Sequence, residues 1–418
     1  MKPTLRFWYD VVCPYAYLAS TQVEALSREL GVEIEWRPML LGGVFRHIGA
    51  PQVPATHMSP AKATMNSLEL YRWADAWRVP FQFSPHHPQR SVEAMRLLCV
   101  TPMELRARVS AHLYHAYWVS GRRLDEACLA EACALAGLPA EAWATEEAKR
   151  ALFDETAYAA SVGVFGAPTF EHVTYDEAGV ANSALYWGQD RLDHVREAFG
   201  QRPAPLEERA SPEGSEVIFY HDLASPFSYL ASTQVERVVK LTGAKLIWRP
   251  ILLGALFKEL GAPNVPLFEM SPPKRAYMSQ ELTRWATWWG VPFSFPKSFP
   301  LRTPTPLRLC ILDPSLTPLL YRLAWVEGLD IGDERLLAEA LTAQGHDGEA
   351  LIKHSKTPEL KEALRHNTTL ARQAGAFGVP SFEVRRLGEA PALIWGQDRL
   401  PMLYQALISS TPLRASLL

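Results

Sequence analysis

The chain has 418 residues, 48% of them hydrophobic and 21% charged, with a formal net charge of −3. That length exceeds what one hydrophobic core usually serves, so two domains are expected. The near-neutral balance argues against nucleic acid or an anionic membrane as the main partner, and no run approaches the ~18 apolar residues of a membrane span.

The first strand is expected at Leu5–Tyr9, followed by the turn Cys13-Pro14 and a helix through YLASTQVE. A second strand, Val32–Trp36, runs into Trp36-Arg37-Pro38, and a long helical section rich in Trp and Leu covers about 58–160. Pro168 then opens a strand, a further strand follows, and WGQDRL (187–192) starts a closing helix. After the Pro- and Glu-rich stretch 201–216, a linker by composition, the same order returns. The second pass has strands at Val217–Tyr220 and Lys245–Trp248, the turn Ser225-Pro226 with its own YLASTQVE, helices over about 270–375, Pro380 and WGQDRL (395–400). Such self-similarity marks a duplicated unit. The domains are placed at 1–200 and 217–410. The order β-α-β, helical insertion, β-β-α implies an α/β fold with its first two strands parallel.

Chemistry is expected where the copies present reactive atoms. Proline favours the first turn of a helix, which puts Cys13 and Ser225 at helix N-termini, where unpaired N–H groups and the helix dipole favour an anion. A cysteine there is expected to ionise, and a serine to donate a hydrogen bond to another group's thiolate. Ala167-Pro168 and Val379-Pro380 each open a strand and are candidates for cis peptides that turn the preceding backbone toward a ligand. Asp190 and Asp398 are either helix-start acids or ammonium-binding carboxylates. Trp73, Trp77, Trp285, Trp288 and Trp289 fall at helical spacing, as core or as the lining of a flat apolar pocket. The five cysteines contain no C-x-x-C, so neither a disulfide framework nor a metal site is expected. The opening MKPTLRFWYD has no secretion-signal core, and a cytoplasmic protein with reduced thiols is expected.

In order, D-x-x-[CS]-P, W-R-P-x-L-L-G, S-P-x-K, R-W-A, V-P-F, F-G-[VA]-P and W-G-Q-D-R resemble the 2-hydroxychromene-2-carboxylate isomerases and kappa-class glutathione transferases. These belong to the DsbA-like branch of the thioredoxin fold. The resemblance covers nearly all of both copies. It implies two tandem thioredoxin-like domains, each with an α-helical insertion, and cis peptides before Pro168 and Pro380. It further implies glutathione as cofactor, its sulfur held as a thiolate by Ser225. The backbone at Val379 and Ala167 would pair with the glutathione cysteinyl unit, and Gln397, Asp398, Gln189 and Asp190 would hold its γ-glutamyl end. Trp289 and Trp77 would line a substrate pocket, with Arg249 and Lys274 as candidates for a substrate carboxylate. The implied reaction is isomerisation or transfer on a small unsaturated, aromatic-derived molecule. Relatives with one domain form dimers, so the two copies are expected to pack as an internal pseudo-dimer.

Two departures stand out. Family members commonly carry asparagine where this chain has Ala50 and Ala262, and serine where it has Cys13. Two other readings therefore stand beside the first: a thiol oxidoreductase using Cys13, resolved by glutathione, and a non-catalytic binding protein.

Overall fold

The structure, a computed structural model, describes residues 3–51 and 58–417. The first repeat contains β1 (Thr4–Tyr9), α1 (Pro14–Leu30), β2 (Ile34–Pro38) and α2 (Leu41–His47). Its helical insertion is α3 (Pro60–Trp77), α4 (Val92–Val100), α5 (Met103–Trp118), α6 (Glu126–Ala136) and α7 (Glu146–Ser161), and β3 (Thr169–Tyr175), β4 (Ala181–Trp187) and α8 (Leu192–Ala198) complete it. The second repeat opens with β5 (Glu216–His221), α9 (Pro226–Thr242), β6 (Lys245–Pro250) and α10 (Leu253–Glu259). Its insertion is α11 (Pro272–Trp289), α12 (Pro304–Leu312), α13 (Thr317–Trp325), α14 (Glu334–Ala343), α15 (Gly348–His354) and α16 (Pro358–Gln373), followed by β7 (Ser381–Arg385), β8 (Ala392–Trp395) and α17 (Leu400–Ile408). The element order is the one expected from the sequence.

Each repeat builds a four-stranded sheet, ordered β2-β1-β3-β4 and β6-β5-β7-β8. The opening pair is parallel, with Phe7 opposite Trp36 and Phe219 opposite Trp248, and the remaining pairs are antiparallel. This is the mixed sheet of a thioredoxin fold, with the helices inserted between its second and third strands. Alternation along a strand sends neighbours to opposite faces. Phe219 packs with Val235 and Val238 of α9, whereas Tyr220 packs with Ala371 of α16. Phe7 and Trp8 divide in the same way, Phe7 with Val23 and Leu26 of α1, Trp8 with Ala159 of α7.

The chain forms two compact units. One comprises Met1–His57, Glu69–Ala204 and Ser271–Lys274, the other Met58–Leu68, Pro205–Met270 and Arg275–Leu418. Among the described residues, no helix is long and apolar enough to cross a membrane.

Candidate functional site

At the end of the first strand of each repeat sits a buried aspartate. Asp10 accepts hydrogen bonds from the Val12 N–H, the Leu41 N–H and the Ser91 hydroxyl, at 3.2, 3.0 and 3.1 Å. Asp222 repeats this with the Ala224 N–H, the Leu253 N–H and Thr303 at 2.9, 2.8 and 2.8 Å. One carboxylate thus ties the strand end to the starts of two helices, and burial pushes both carboxyls above the usual range. Sequence reasoning quoted these aspartates in the motif and gave them no task. Their signal was an acid in the same place in both copies, just after an apolar strand.

Three residues on, the reactive positions occupy the N-caps of α1 and α9, ahead of Pro14 and Pro226. The Ser225 hydroxyl accepts from the Ser228 N–H at 3.2 Å and faces the Val379 carbonyl at 3.5 Å, at the outer limit of a hydrogen bond. Cys13 faces the matching carbonyl, its Sγ 3.2 Å from Ala167 O. The expected thiolate is corrected here. Burial pushes the Cys13 thiol up to about 12; the Ala16 N–H pulls the other way, the charge of Asp10 adds a smaller rise, and the Tyr15 N–H lowers it least. Desolvation outweighs the helix terminus, and at neutral pH Cys13 is a neutral thiol.

Both carbonyls belong to the cis peptides Ala167-Pro168 and Val379-Pro380; His87-Pro88 and Phe299-Pro300 are also cis, at matching places in the two insertions and without a sequence signal. Across the sheet, the Gly188 N–H donates to Pro168 O at 2.9 Å and the Gly396 N–H to Pro380 O at 3.0 Å. The W-G-Q-D-R turn is thereby fastened to the cis-proline loop. Gly188 and Gly396 adopt φ of 115° and 114°, and a Cβ on either would run into the carboxylate of Asp190 or Asp398. Each carboxylate lies beside the next residue's guanidinium, Asp190–Arg191 at 3.0 Å and Asp398–Arg399 at 3.1 Å. Gln189 and Gln397 are buried. The structure therefore links Ser225, Val379-Pro380 and Gly396-Gln397-Asp398 through one set of contacts, with Cys13, Ala167-Pro168 and Gly188-Gln189-Asp190 as their counterparts.

The remaining candidates are more scattered. Trp77 and Trp289 are half-buried against their own cores, 4.9 Å from Trp73 and 4.8 Å from Trp285 between ring centroids. Arg249 lies on the sheet face of Tyr220, its guanidinium carbon 5.9 Å from that ring, and this face is the one away from α9. Lys274 falls in the segment that groups with the first unit, its ammonium 5.0 Å from the Trp187 ring. Ala50 and Ala262 donate their N–H groups to Phe45 O and Phe257 O, each at 2.9 Å, closing α2 and α10. All five cysteines are free and buried, and no metal-binding group of three or more His, Cys, Asp or Glu occurs among the described residues.

The chain is 30% identical over 195 residues to the 2-hydroxychromene-2-carboxylate isomerase of Sphingobium xenophagum, covering 46% of this chain and 96% of that one. It is 27% identical over 207 residues to glutathione S-transferase kappa 2 of Caenorhabditis elegans, covering 46% and 91%. A solved structure of a 2-hydroxychromene-2-carboxylate isomerase is similar at 25% identity, with a TM-score of 0.40, covering 46% of this chain and 93% of that chain. The model of the DSBA-like thioredoxin domain matches residues 4–200 and again 216–408. The chain belongs to the DsbA-like thioredoxin-domain family, whose domain it carries twice.

Proposed function

We propose that the chain is a glutathione-dependent isomerase or transferase whose working site lies in the second repeat. The observation that carries this is the Ser225 hydroxyl, held at the start of α9 and turned to the Val379 carbonyl with only a 3.5 Å contact. A hydroxyl so loosely engaged can turn its proton to an incoming sulfur, and the dipole of a 17-residue helix favours negative charge there. Bound glutathione would supply a thiolate able to add to, and leave, an electrophilic carbon of the substrate.

The chain's own groups would hold that cofactor from three sides. Val379 presents its backbone from the cis-proline loop. Gln397 and Asp398 take the γ-glutamyl end, with Arg399 fixing the Asp398 carboxylate. Asp222 accepts from the Ala224 N–H, just ahead of Ser225, and so holds the backbone that carries the serine in place. Trp289, half-buried at the end of α11, supplies a flat wall for an unsaturated, aromatic-derived substrate. Copy one has the same frame with a neutral, buried thiol where the serine belongs, and its role in this reading is a scaffold or latent site at Ala167, Pro168, Gln189 and Asp190. The oxidoreductase alternative needs a Cys13 thiolate, which burial disfavours.

The test is turnover of α,β-unsaturated aryl acids with and without glutathione, followed by absorbance. Glutathione-dependent conversion that falls at least about 100-fold in Ser225→Ala supports the assignment. Conversion that ignores glutathione, or survives Ser225→Ala intact, removes it.

A further inference from the structure

The two repeats diverge in a telling way on the sheet face covered by α7 and α16, the face away from Ser225. In the first repeat this region is filled. The Trp8 indole N–H donates to Glu171 at 2.8 Å, and the Tyr158 ring from α7 lies 5.9 Å from Trp8. Arg37 stands over both rings, at 4.9 and 5.4 Å, and Arg6 donates to the Tyr158 hydroxyl at 3.0 Å. The two cations are balanced: Arg6 meets Glu35 at 3.0 Å, and Arg37 meets Glu35 and Glu155 at 3.3 and 2.9 Å.

In the second repeat, 212 residues on, Tyr220 replaces Trp8 and Leu370 replaces Tyr158, so two large rings become one smaller ring and an aliphatic chain. Ile247 and Asn367 stand where Glu35 and Glu155 were, and Ile218 replaces Arg6. Arg249 remains in the place of Arg37, and among the described residues it has no carboxylate partner. A cavity of about 400 Å³ opens here, walled by Tyr220, Leu370, Gln373, Glu383, Arg385 and Leu393. Glu383 is already neutralised, accepting from the Tyr220 hydroxyl at 2.5 Å and from Arg385 at 2.6 Å. The charge left without a carboxylate partner is that of Arg249, which lies against the Tyr220 wall, while Arg385, paired with Glu383, stands at the rim with its side chain 46% exposed.

Volume has been removed where an aromatic ring sat between cations; of the three acids that met them, Glu35 and Glu155 have no counterpart, and Glu171, 3.4 Å from Arg6, remains as Glu383. We infer that this cavity is a second binding site, for a small aromatic acid. Its ring takes the place that Tyr158 occupies in the first repeat, and its carboxylate meets the field of Arg249 and Arg385. Such a volume lies within the range of small-molecule pockets, and a guanidinium is the side chain suited to a planar carboxylate. The first repeat is then the same site with its ligand built in as a tyrosine.

The test is calorimetric titration of the full chain with 4-hydroxybenzoate, with acetate and p-cresol as probes lacking the ring or the charge. The expected result is saturable binding at up to about millimolar concentration, at least about tenfold tighter than either control. Leu370→Tyr, which restores the residue of the first repeat, is expected to weaken it at least about tenfold, as is Arg249→Gln, while Ser225→Ala leaves it unchanged. No saturation by about 10 mM overturns the proposal. So does affinity untouched by Leu370→Tyr, or lost in Ser225→Ala, either of which puts the ligand elsewhere. Should Leu370→Tyr fail to fold, Arg249→Gln decides alone, and unchanged affinity there overturns the inference.

Discussion

The second repeat carries a buried histidine that the first lacks, and acid should find it. His221 is fully buried at the end of β5, where Tyr9 stands in the first repeat. Its Nδ1 lies 3.0 Å from the Tyr321 hydroxyl, and its ring is wedged edge-on against Trp248. Burial lowers its pKa to about 3 from the usual 6.5. Because the folded value is depressed, the neutral ring's contribution is fully present above pH 6.5. It is lost as pH falls toward 3, since only the unfolded chain takes up the proton. At pH 5 the unfolded histidine is protonated and the folded one is not, a loss of about 2 kcal/mol. For a unit of this size that corresponds to roughly 4–8 °C in Tm. The comparison is His221→Tyr, the side chain of the first repeat. There Tyr9 bonds Ser110 at 2.7 Å, and Thr317 stands at the equivalent position of the second repeat. His87 and His172, also lowered by burial, are common to both proteins and cancel. Scanning calorimetry at pH 7 and pH 5 should show the wild type losing about 2 kcal/mol more than the variant. Equal losses in the two proteins would refute the reasoning.

Cys13 should resist alkylation at pH 7 in the native chain, since a thiol at about 12 is almost wholly protonated. Mass-spectrometric labelling with iodoacetamide checks this, and labelling at the rate of an exposed cysteine contradicts it. Cys13→Ser should stabilise the first unit by up to about 1 kcal/mol, by supplying the cap that Ser225 makes to the Ser228 N–H. A loss of stability in denaturant titration would mean that the thiol's contact with Ala167 O outweighs the cap. Gly396→Ala should destabilise the second unit by about 2 kcal/mol or more, because φ of 114° and the Asp398 carboxylate both oppose a Cβ. Its calorimetric Tm reads this directly, and an unshifted Tm would show that the turn relaxes freely.

How much of this could be read beforehand depends on whether the signal was local. Proline after Cys13 and Ser225 sets a helix start by itself, and the repeated motifs told where the strands lay. The prolines at 168 and 380 are cis candidates from their strand-opening position, but only the resemblance implies cis outright, since nothing local distinguishes a cis proline from a trans one at a strand start. Those at Pro88 and Pro300 had neither source. The ionisation of Cys13 was misread because a helix N-terminus is visible in sequence, whereas desolvation is a property of everything packed around the thiol. Arg249 and Lys274 were grouped with Ser225 by motif order, yet strand alternation sends Arg249 to the other sheet face. The exchange of Trp8 and Tyr158 for Tyr220 and Leu370 is plain in the letters. It acquires meaning only once both positions are seen to share one face.

The most direct test of the central claim is calorimetric titration of glutathione into the wild type, Ser225→Ala and Cys13→Ser. Binding in the wild type with a stoichiometry of about one, weakened by about 1.4 kcal/mol or more in Ser225→Ala, is the result the account predicts. A rise toward two sites in Cys13→Ser would identify the first repeat as a latent copy closed by its own sulfur. Binding that is absent from the wild type, or indifferent to Ser225→Ala, would contradict the account and leave the fold without the cofactor.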